Sequence, residues 1–327
     1  MIEAAKELVA SLRRDNQNVI GAYIDGSVAW DEMTPVSDVD IAVIEANRTK
    51  SSRVFRRMVL GTVMEWVLMP DKEVRDIEAI LSHAGRVHMI RKALILLDVE
   101  GLLEEARDKI RQRYQEPQGI LRRAENQQAV VEFSIKAMES CLDKKDVIGA
   151  QLSHTGIIQF LLGLPRALTN QRCTMAQAFP FCRESAKVLG QPDYIVRITD
   201  LLGATSLDRN SVMRLNDLAT ALIEASGLEP EETAARLHKL MAAPWLLDQG
   251  PPGDAVWPLY VWTRLTAEEV IRKGDATSDV RELWSLFIEP LNVADIQDIS
   301  QKLDCAKDLL ETAQDMIEAS RARFFVQ

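Results

Sequence analysis

The first third of the chain alternates short apolar runs with polar turns, whereas the rest repeats apolar positions every three or four residues. The helical spacing begins at once and predicts a helix over residues 2–14. Apolar runs bounded by turn-forming residues predict strands, over Val19–Tyr23, Asp38–Ile44, Leu60–Met69 and the ALILLD segment at 93–98. Helices are predicted between them, over residues 49–58, Asp71–Ser82 and Leu102–Tyr114. The pattern therefore indicates a small mixed sheet with helices around it.

A break in the pattern separates this part from a largely helical remainder. Residues 116–119 read Glu-Pro-Gln-Gly, and a turn of this kind ends a helix. Beyond it, the segment Val147–Leu164 is apolar nearly all round, which is typical of the buried central helix of a bundle. We therefore expect an α/β domain over residues 1–116, followed by an all-α helical bundle domain over residues 117–327.

Three carboxylates interrupt the predicted strands of the first domain. Asp38 and Asp40 open the strand DVDIAVI, and because successive side chains of a strand alternate, both are expected on the same face. Glu65 is the only charge in the apolar run Leu60–Met69, and a buried Glu requires a partner. Neighbouring carboxylates repel each other and lose hydration, and a cation relieves that cost. Ligands that are all oxygen favour Mg²⁺.

Gly26 and Ser27 follow the first predicted strand, and ten residues separate Ser27 from Asp38. Glycine permits a tight turn and a close approach of phosphate to the backbone, and amides at the start of a helix favour anions. A Gly-Ser pair alone is an ordinary turn. Its position relative to the carboxylates makes it a candidate phosphate site.

Together these features resemble the nucleotidyltransferase fold of the DNA polymerase β-like superfamily, and in particular its minimal and antibiotic-modifying (kanamycin-type) branch. The resemblance covers residues 5–114 and depends on the order Gly-Ser, Ser-Asp-Val-Asp and a carboxylate on the following strand. It implies that Gly26 and Ser27 hold the nucleotide phosphates. It also implies that Asp38, Asp40 and Glu65 are the catalytic, metal-binding carboxylates.

Three positions depart from the common pattern of the superfamily. Trp30 stands where many relatives have Arg, Asp31 where they have Gly, and Asp25 where an aromatic residue is common. The missing Arg removes one phosphate contact, whereas the three carboxylates are intact.

The resemblance implies transfer of a nucleotide, with AMP as the first candidate, from a nucleoside triphosphate to a hydroxyl acceptor. Two Mg²⁺ ions would bridge Asp38 and Asp40, and Glu65 would be the third ligand or the base. The expected acceptor is a cationic small molecule such as an aminoglycoside. Two alternatives stay open: nucleotidylation of a protein side chain, as in antitoxin-like members of the superfamily, and a non-catalytic protein that senses a nucleotide.

The overall composition narrows the choice of partners and compartment. A net charge of −10 argues against non-specific binding of nucleic acid, because no broad basic surface is available. The four cysteines are scattered without a CxxC motif, as in reduced cytosolic proteins. The N-terminus lacks the pattern of a signal peptide, and no apolar run approaches the roughly 20 residues of a membrane span. We therefore expect a cytoplasmic protein without a membrane partner.

Motifs of P-loop kinases, Rossmann dehydrogenases, zincins and α/β-hydrolases are absent.

Several other polar or aromatic residues are weaker candidates, because a surface or packing role explains each of them equally well. Cations that could meet the triphosphate are Arg53, Arg56, Arg57, Arg86, His88, Arg91 and Lys92. Candidates for the acceptor pocket of the second domain are Glu132, Lys136, His154, Arg166, Asn170 and Arg172. Around a predicted loop at 248–258, aromatic residues either line a pocket or pin the loop to the bundle; these are Trp245, Trp257, Tyr260 and Trp262.

Overall fold

The computed structural model describes residues 1–50, 52–59, 61–172 and 174–325, so that Cys173 lies outside the described residues. The chain forms two compact units. The first comprises Met1–Gly119 together with Glu229–His238, and the second comprises Ile120–Leu228 and Lys239–Gln327. A short segment from late in the chain therefore belongs to the unit that is built mainly from N-terminal residues.

A mixed sheet forms the centre of the first unit. Its strands are β1 (Val19–Ile24), β2 (Val39–Glu45), β3 (Arg53–Val59), β4 (Thr62–Pro70) and β5 (Leu94–Asp98). In the described part of the chain the sheet has five strands in the order β3-β4-β2-β1-β5. β2 and β4 run parallel, and the other neighbouring pairs are antiparallel. The small mixed sheet expected from the sequence is confirmed; Leu60, where one strand was expected to begin, lies outside the described residues.

Helices cover both faces of this sheet. They are α1 (Ile2–Asp15), α2 (Gly26–Trp30), α3 (Lys72–Arg75), α4 (Ile77–Leu81), α5 (Arg86–Arg91) and α6 (Leu102–Arg113). Ala5 of α1 packs in the core on one face, with Ile41 of β2. Ala42 and Ile44 of β2 point to the opposite face and pack against residues of α3 to α6. Asp40 has the parity of Ala42 and Ile44, so it lies on the face that α3 to α6 cover.

The helix predicted over residues 49–58 is wrong, because Arg53–Val59 form strand β3. β3 is an edge strand, and its only neighbour among the described strands is β4, to which it pairs from Arg53↔Leu68 to Val59↔Thr62. Arg has a good intrinsic helix propensity, but the pairing of the two strands overrides such a weak local preference. The helix expected over residues 71–82 is divided into α3 and α4 at Asp76, whose side chain accepts a hydrogen bond from the Ala79 amide at 3.0 Å.

The C-terminal part of the chain is helical, as expected from the sequence. Its helices are α7 (Pro117–Asp143), α8 (Val147–Leu168), α9 (Ala178–Val188), α10 (Tyr194–Leu202), α11 (Arg209–Ala225), α12 (Pro230–Leu240), α13 (Ala242–Leu247), α14 (Pro252–Lys273), α15 (Ser278–Ile288) and α16 (Ile296–Phe325). α8 is the apolar central helix, and most of its residues are buried. α8 is long and apolar enough to cross a membrane, although the sequence was expected to contain no such segment. However, 61% of its most apolar window is buried inside the structure, and the core helices of soluble proteins can be equally long and apolar.

Two buried polar arrangements stabilise the second unit. His154 of α8 is 0% exposed, and its ring nitrogens lie 2.9 Å from the Leu201 carbonyl and 3.1 Å from the Tyr260 hydroxyl. Asp254 of α14 is also buried and accepts two hydrogen bonds from the Arg183 guanidinium, at 2.5 and 2.9 Å. His154, a weak candidate for the acceptor pocket, is therefore satisfied within the core.

Candidate active site

Charged side chains form a row across three neighbouring strands of the first unit and the end of a fourth. Asp40 on β2 is paired with Glu65 on β4, and Glu65 is paired with Arg56 on β3. On the other side, the amide of Asp25, the residue after β1, donates to the Asp40 carbonyl at 3.0 Å. Because directly paired residues point to the same face of a sheet, these four side chains follow one another on one face. We call Asp25, Asp40, Glu65 and Arg56 the charged row.

Gly26 lies directly against the middle of the charged row. It is the first residue of α2 and has a φ of +65°, in the left-handed region that favours glycine. A β carbon at this position would lie 2.6 Å from Oδ2 of Asp40. Glycine is therefore needed here both for its conformation and for its lack of a side chain. Ser27 follows within α2 and is half-buried.

Burial and mutual repulsion raise the pKa of two carboxyl groups in the row. Asp25 is only 4% exposed, and burial, followed by the nearby charge of Glu65, raises its pKa from 3.8 to about 7. Burial, followed by the charges of Asp25 and Glu65, raises the pKa of Asp40 well above its usual range. The charge of Arg56 partly offsets this effect at Asp40 by lowering the pKa. A charge on the buried Asp25 carboxyl is therefore costly, whereas Asp40 is half-buried and is partly compensated by the charge of the arginine.

Glu65, in contrast, is tied into an ion-pair network. The Arg56 guanidinium donates to Glu65 Oε2 through Nε at 2.6 Å, and to both carboxylate oxygens of Glu232 at 3.0 and 3.2 Å. Arg236 also donates to Glu232, at 2.7 Å. Glu232 belongs to α12, in the segment that joins the first unit. The end of the charged row formed by Glu65 and Arg56 is thus held in ion pairs.

Asp38 lies just before the first residue of β2 and is half-buried. Extension of the β2–β4 register places Asp38 opposite Val63. Each of these residues lies two positions before its counterpart in the pair of Asp40 and Glu65. Of the three carboxylates singled out in the sequence, the structure thus pairs Asp40 with Glu65. Asp25, noted in the sequence only as a departure from the pattern, completes the acidic part of the row. The role of Asp38 as a metal ligand stays a prediction.

The donor set of the row suits Mg²⁺ in part. It consists of carboxylate oxygens, which are hard ligands of the kind that Mg²⁺ prefers. Mg²⁺ is commonly bound by one or two carboxylates and completes its shell with water and phosphate oxygens. Among the described residues, no three His, Cys, Asp or Glu side chains are grouped so that they could hold a metal ion. The residues therefore fit as a partial site, to be completed by ligands from outside the protein.

Two of the cations proposed for the triphosphate contact Trp30, the last residue of α2. The Arg91 guanidinium lies 4.8 Å from the centre of the Trp30 ring and 4.0 Å from that of Tyr114. The Lys92 ammonium lies 5.6 Å from the centre of the Trp30 ring. Cations are attracted to the faces of aromatic rings. The aromatic side chain at position 30 thus holds two positive charges beside α2.

The remaining candidate cations of the first unit have other surroundings. Arg86 forms an ion pair with Glu73 at 2.7 Å, and the Arg53 guanidinium lies 4.7 Å from the centre of the Phe55 ring. Arg57 is exposed. His88 is buried, and its ring meets the Trp30 ring edge to face at a centroid distance of 6.2 Å. A structural role therefore accounts for the observed contacts of Arg86, Arg53 and His88.

The candidates of the second unit are largely part of its interior. Arg166 is buried and donates to the Leu162 carbonyl at 2.8 Å, and Asn170 accepts from Arg123 at 3.0 Å. Arg172 lies 5.8 Å from the centre of the Phe181 ring. The loop expected over residues 248–258 is shorter than predicted, because α14 begins at Pro252. Trp257 and Tyr260 consequently lie in this helix and are fully buried, which favours packing over a pocket.

Two members of this site had little or no signal in the sequence. Asp25 is the first charge after the fully buried strand VIGAYI, and that position was a usable hint. Glu232 is 176 residues from Arg56 and has no local feature that connects it with the sheet. Long-range ion pairs of this kind are visible only once the chain is folded.

No family model matches the chain, and no curated protein matches it either. Among solved structures, the chain is similar to the crystal structure of a nucleotidyltransferase-like protein from Exiguobacterium sibiricum 255-15, at 12% sequence identity over 88% of this chain and 90% of that chain. The TM-score is 0.34, which is too low to carry an argument about fold or activity.

Proposed function

We propose that the chain is a Mg²⁺-dependent nucleotidyltransferase of the DNA polymerase β-like superfamily, of its minimal or kanamycin-type branch. It would transfer a nucleotide, AMP in the first instance, from a nucleoside triphosphate to a hydroxyl group. The observation that supports this best is the pairing of Asp40 and Glu65 on parallel strands, with Gly26 directly against Asp40. Transfer of phosphorus groups needs position and charge from a protein rather than covalent chemistry, and this arrangement offers both.

Each residue of the site has a defined task in this proposal. Asp40 and Glu65, together with Asp38, would hold the ions, and bound Mg²⁺ neutralises phosphate charge and lowers the pKa of a hydroxyl nucleophile. Gly26 leaves the backbone bare, so that a phosphate approaches without meeting a side chain. Ser27 would offer its hydroxyl to the same phosphate. Arg56 orients the Glu65 carboxylate through its hydrogen bond of 2.6 Å.

The acceptor that we propose is a cationic small molecule, such as an aminoglycoside. The net charge of −10 favours attraction of a cation and disfavours a polynucleotide. A protein side chain is the other acceptor consistent with the same chemistry. We place the reaction in the cytoplasm, where nucleoside triphosphates are available.

The test is transfer of an α-phosphate label from each nucleoside triphosphate to a panel of aminoglycosides and to protein, with pyrophosphate release as a second readout. Asp40→Asn should reduce turnover by at least about a hundredfold, because it removes a charge beside the reacting phosphate. Asp31→Asn is the matched control, since Asp31 is exposed and Asn tolerates its left-handed backbone. Equal turnover by the Asp40→Asn variant and the unmodified chain would contradict the proposal.

A second candidate function is favoured by the ion pair between Arg56 and Glu65. A carboxylate that is neutralised by an arginine is less available to a metal ion, as in a protein that binds a nucleotide and does not transfer it. Binding of a non-hydrolysable nucleoside triphosphate without turnover for any acceptor would support this alternative. Turnover lost on Asp40→Asn would reject it.

A further inference from the structure

Two arginines of the second unit are buried near the C-terminal end of α8. Arg123 of α7 is 0% exposed, and Arg166 of α8 is 8% exposed. Burial lowers the pKa of Arg166 to about 10, so that its guanidinium group is still charged at neutral pH. Arg is almost never buried to this extent unless a partner balances its charge. Each side chain therefore requires an anion or strong hydrogen-bond acceptors.

The protein supplies little compensation for Arg166. Its one hydrogen bond to the described residues is donated by Nε to the Leu162 carbonyl of the same helix, at 2.8 Å, and Nη1 is buried without a partner. A thiolate at Cys182 of α9 would balance the guanidinium, but burial raises the pKa of this thiol to about 12 and keeps it neutral. Asp254 is already held in two hydrogen bonds by Arg183. Among the described residues, Arg166 thus lacks the counter-charge that a buried charge needs.

Other donors lie beside Arg166. A β carbon on Gly163, one turn earlier in α8, would meet the amide oxygen of Gln127 and would lie 3.6 Å from Nη2 of Arg166. Gln127 and Arg166 therefore flank the bare backbone of Gly163. Arg123 lies one turn before Gln127 on α7 and donates through Nη2 to the Asn170 side chain at 3.0 Å. Residues four apart share a face of a helix, so both positive charges lie where α7 approaches α8.

We propose that Arg123, Gln127 and Arg166 bind a phosphate ion or the phosphate group of a small molecule. The guanidinium group presents its donors as a planar fork that matches the oxygens of phosphate. The side-chain amide of Gln127 adds two further donors. Two positive charges suit a doubly charged phosphate better than a singly charged carboxylate.

A bound anion accounts for the buried arginines better than an ordered water molecule does. Water would accept a hydrogen bond from Nη1 of Arg166, but it would leave the charge unbalanced. Phosphate supplies both the acceptor and the counter-charge. The inference concerns the second unit alone, and it stands independently of the proposed nucleotidyl transfer.

The experiment measures binding of inorganic phosphate to the full chain by isothermal titration calorimetry, without nucleotide or divalent metal. The unmodified chain is compared with Arg166→Met, which keeps a long side chain and removes the charge. Arg122→Met is the matched control, because Arg122 is next to Arg123 on α7 and is exposed. Arg166→Met should weaken phosphate binding by at least about tenfold, the factor that corresponds to one charge-assisted hydrogen bond. Arg122→Met should bind phosphate like the unmodified chain.

Hydrogen exchange with and without phosphate locates the site. Phosphate should slow amide exchange in peptides that cover residues 120–127 and 162–170, and Arg166→Met should abolish this protection. The same readout separates the arginines from Gly26 and Ser27, the candidate phosphate site of the first unit. Glycerol 3-phosphate is the second probe: tighter binding than that of inorganic phosphate identifies a phosphate monoester as the ligand, and weaker binding identifies the free ion.

Thermal unfolding in phosphate-free buffer checks that Arg166→Met folds. Should it fail to fold, Arg166→Lys takes its place; lysine keeps the charge but lacks the planar fork, so it should also weaken phosphate binding. Equal phosphate affinity of the Arg166 variant and the unmodified chain would overturn the inference. So would absence of phosphate binding by the unmodified chain, or protection confined to the first unit.

Discussion

Replacement of Gly26 by alanine should destabilise the centre of the first unit, because Gly26 meets two requirements at once. Its φ of +65° is unfavourable for any residue with a β carbon, and that carbon would lie 2.6 Å from Oδ2 of Asp40. Real β carbons essentially never approach another atom so closely, so that the Asp40 carboxylate or the strand that carries it must move. The substitution therefore tests whether Gly26 and Asp40 are in direct contact.

The magnitude separates into two parts that a control variant can distinguish. The left-handed conformation costs alanine about 1–2 kcal/mol. Overpacking costs about 1–3 kcal/mol more, giving about 2–5 kcal/mol in total. Gly61, in the turn between β3 and β4, has a φ of +77°, but a β carbon there would meet no described residue within 4 Å. Gly61→Ala should therefore cost only the conformational part, and the difference between the two variants measures the contact with Asp40.

Hydrogen exchange followed by mass spectrometry is the suitable assay, because a chain of two units need not unfold in a single step. Amides of the β1–β2 ladder should exchange more than about 30-fold faster in Gly26→Ala, since each 1.4 kcal/mol is a factor of ten. With Asp40→Ala as the background, the added effect of Gly26→Ala should fall to that of Gly61→Ala. If Gly26→Ala and Gly61→Ala had the same effect, the contact with Asp40 would be refuted.

Two further predictions concern the second unit. Burial lowers the pKa of His154 from 6.5 to about 4, so the stability associated with the neutral ring is complete above pH 6.5. About 3 kcal/mol of it is lost as the pH falls to 4. Urea unfolding across this range should show a free energy of unfolding that decreases with falling pH, and His154→Gln should lack this part of the decrease. Arg183→Met should cost about 3–5 kcal/mol, because it leaves the buried Asp254 carboxylate without a partner. The double variant Arg183→Met/Asp254→Leu should recover most of that loss in the same assay, and no recovery would contradict the ion pair.

The sequence predicts the architecture well where the pattern is local. The strand at 19–24 is an uninterrupted apolar run, and the long helices of the second unit have clear periodicity. Residues 49–58 were misassigned because the partner of this segment, β4, decides its conformation. The arginines of the segment suit a helix and an edge strand almost equally.

For the candidate site, the sequence predicts where the site lies but not all of the residues that form it. The spacing of Gly26, Asp40 and Glu65 indicates that they belong together, and the structure places them so. Asp25 was noted only as a departure from the superfamily pattern, because a single charge at a strand end is ordinary until the fold shows its burial beside Asp40. Glu232 is beyond local prediction, since only the fold brings α12 to Arg56.

The position of Glu232 in the chain also has a consequence for biosynthesis. The ribosome delivers Gly119 first and Glu232 about 110 residues later, which at ordinary translation speeds is a delay of roughly 5 to 20 seconds. During that interval a nascent chain holds the sheet with Arg56 but without the carboxylate of Glu232 that engages it in the finished protein. Charge balance at the Glu65 end of the sheet is thus completed late in synthesis. A fragment that ends at Gly119 would contain all five strands of the described sheet and still lack the Glu232 carboxylate that Arg56 contacts.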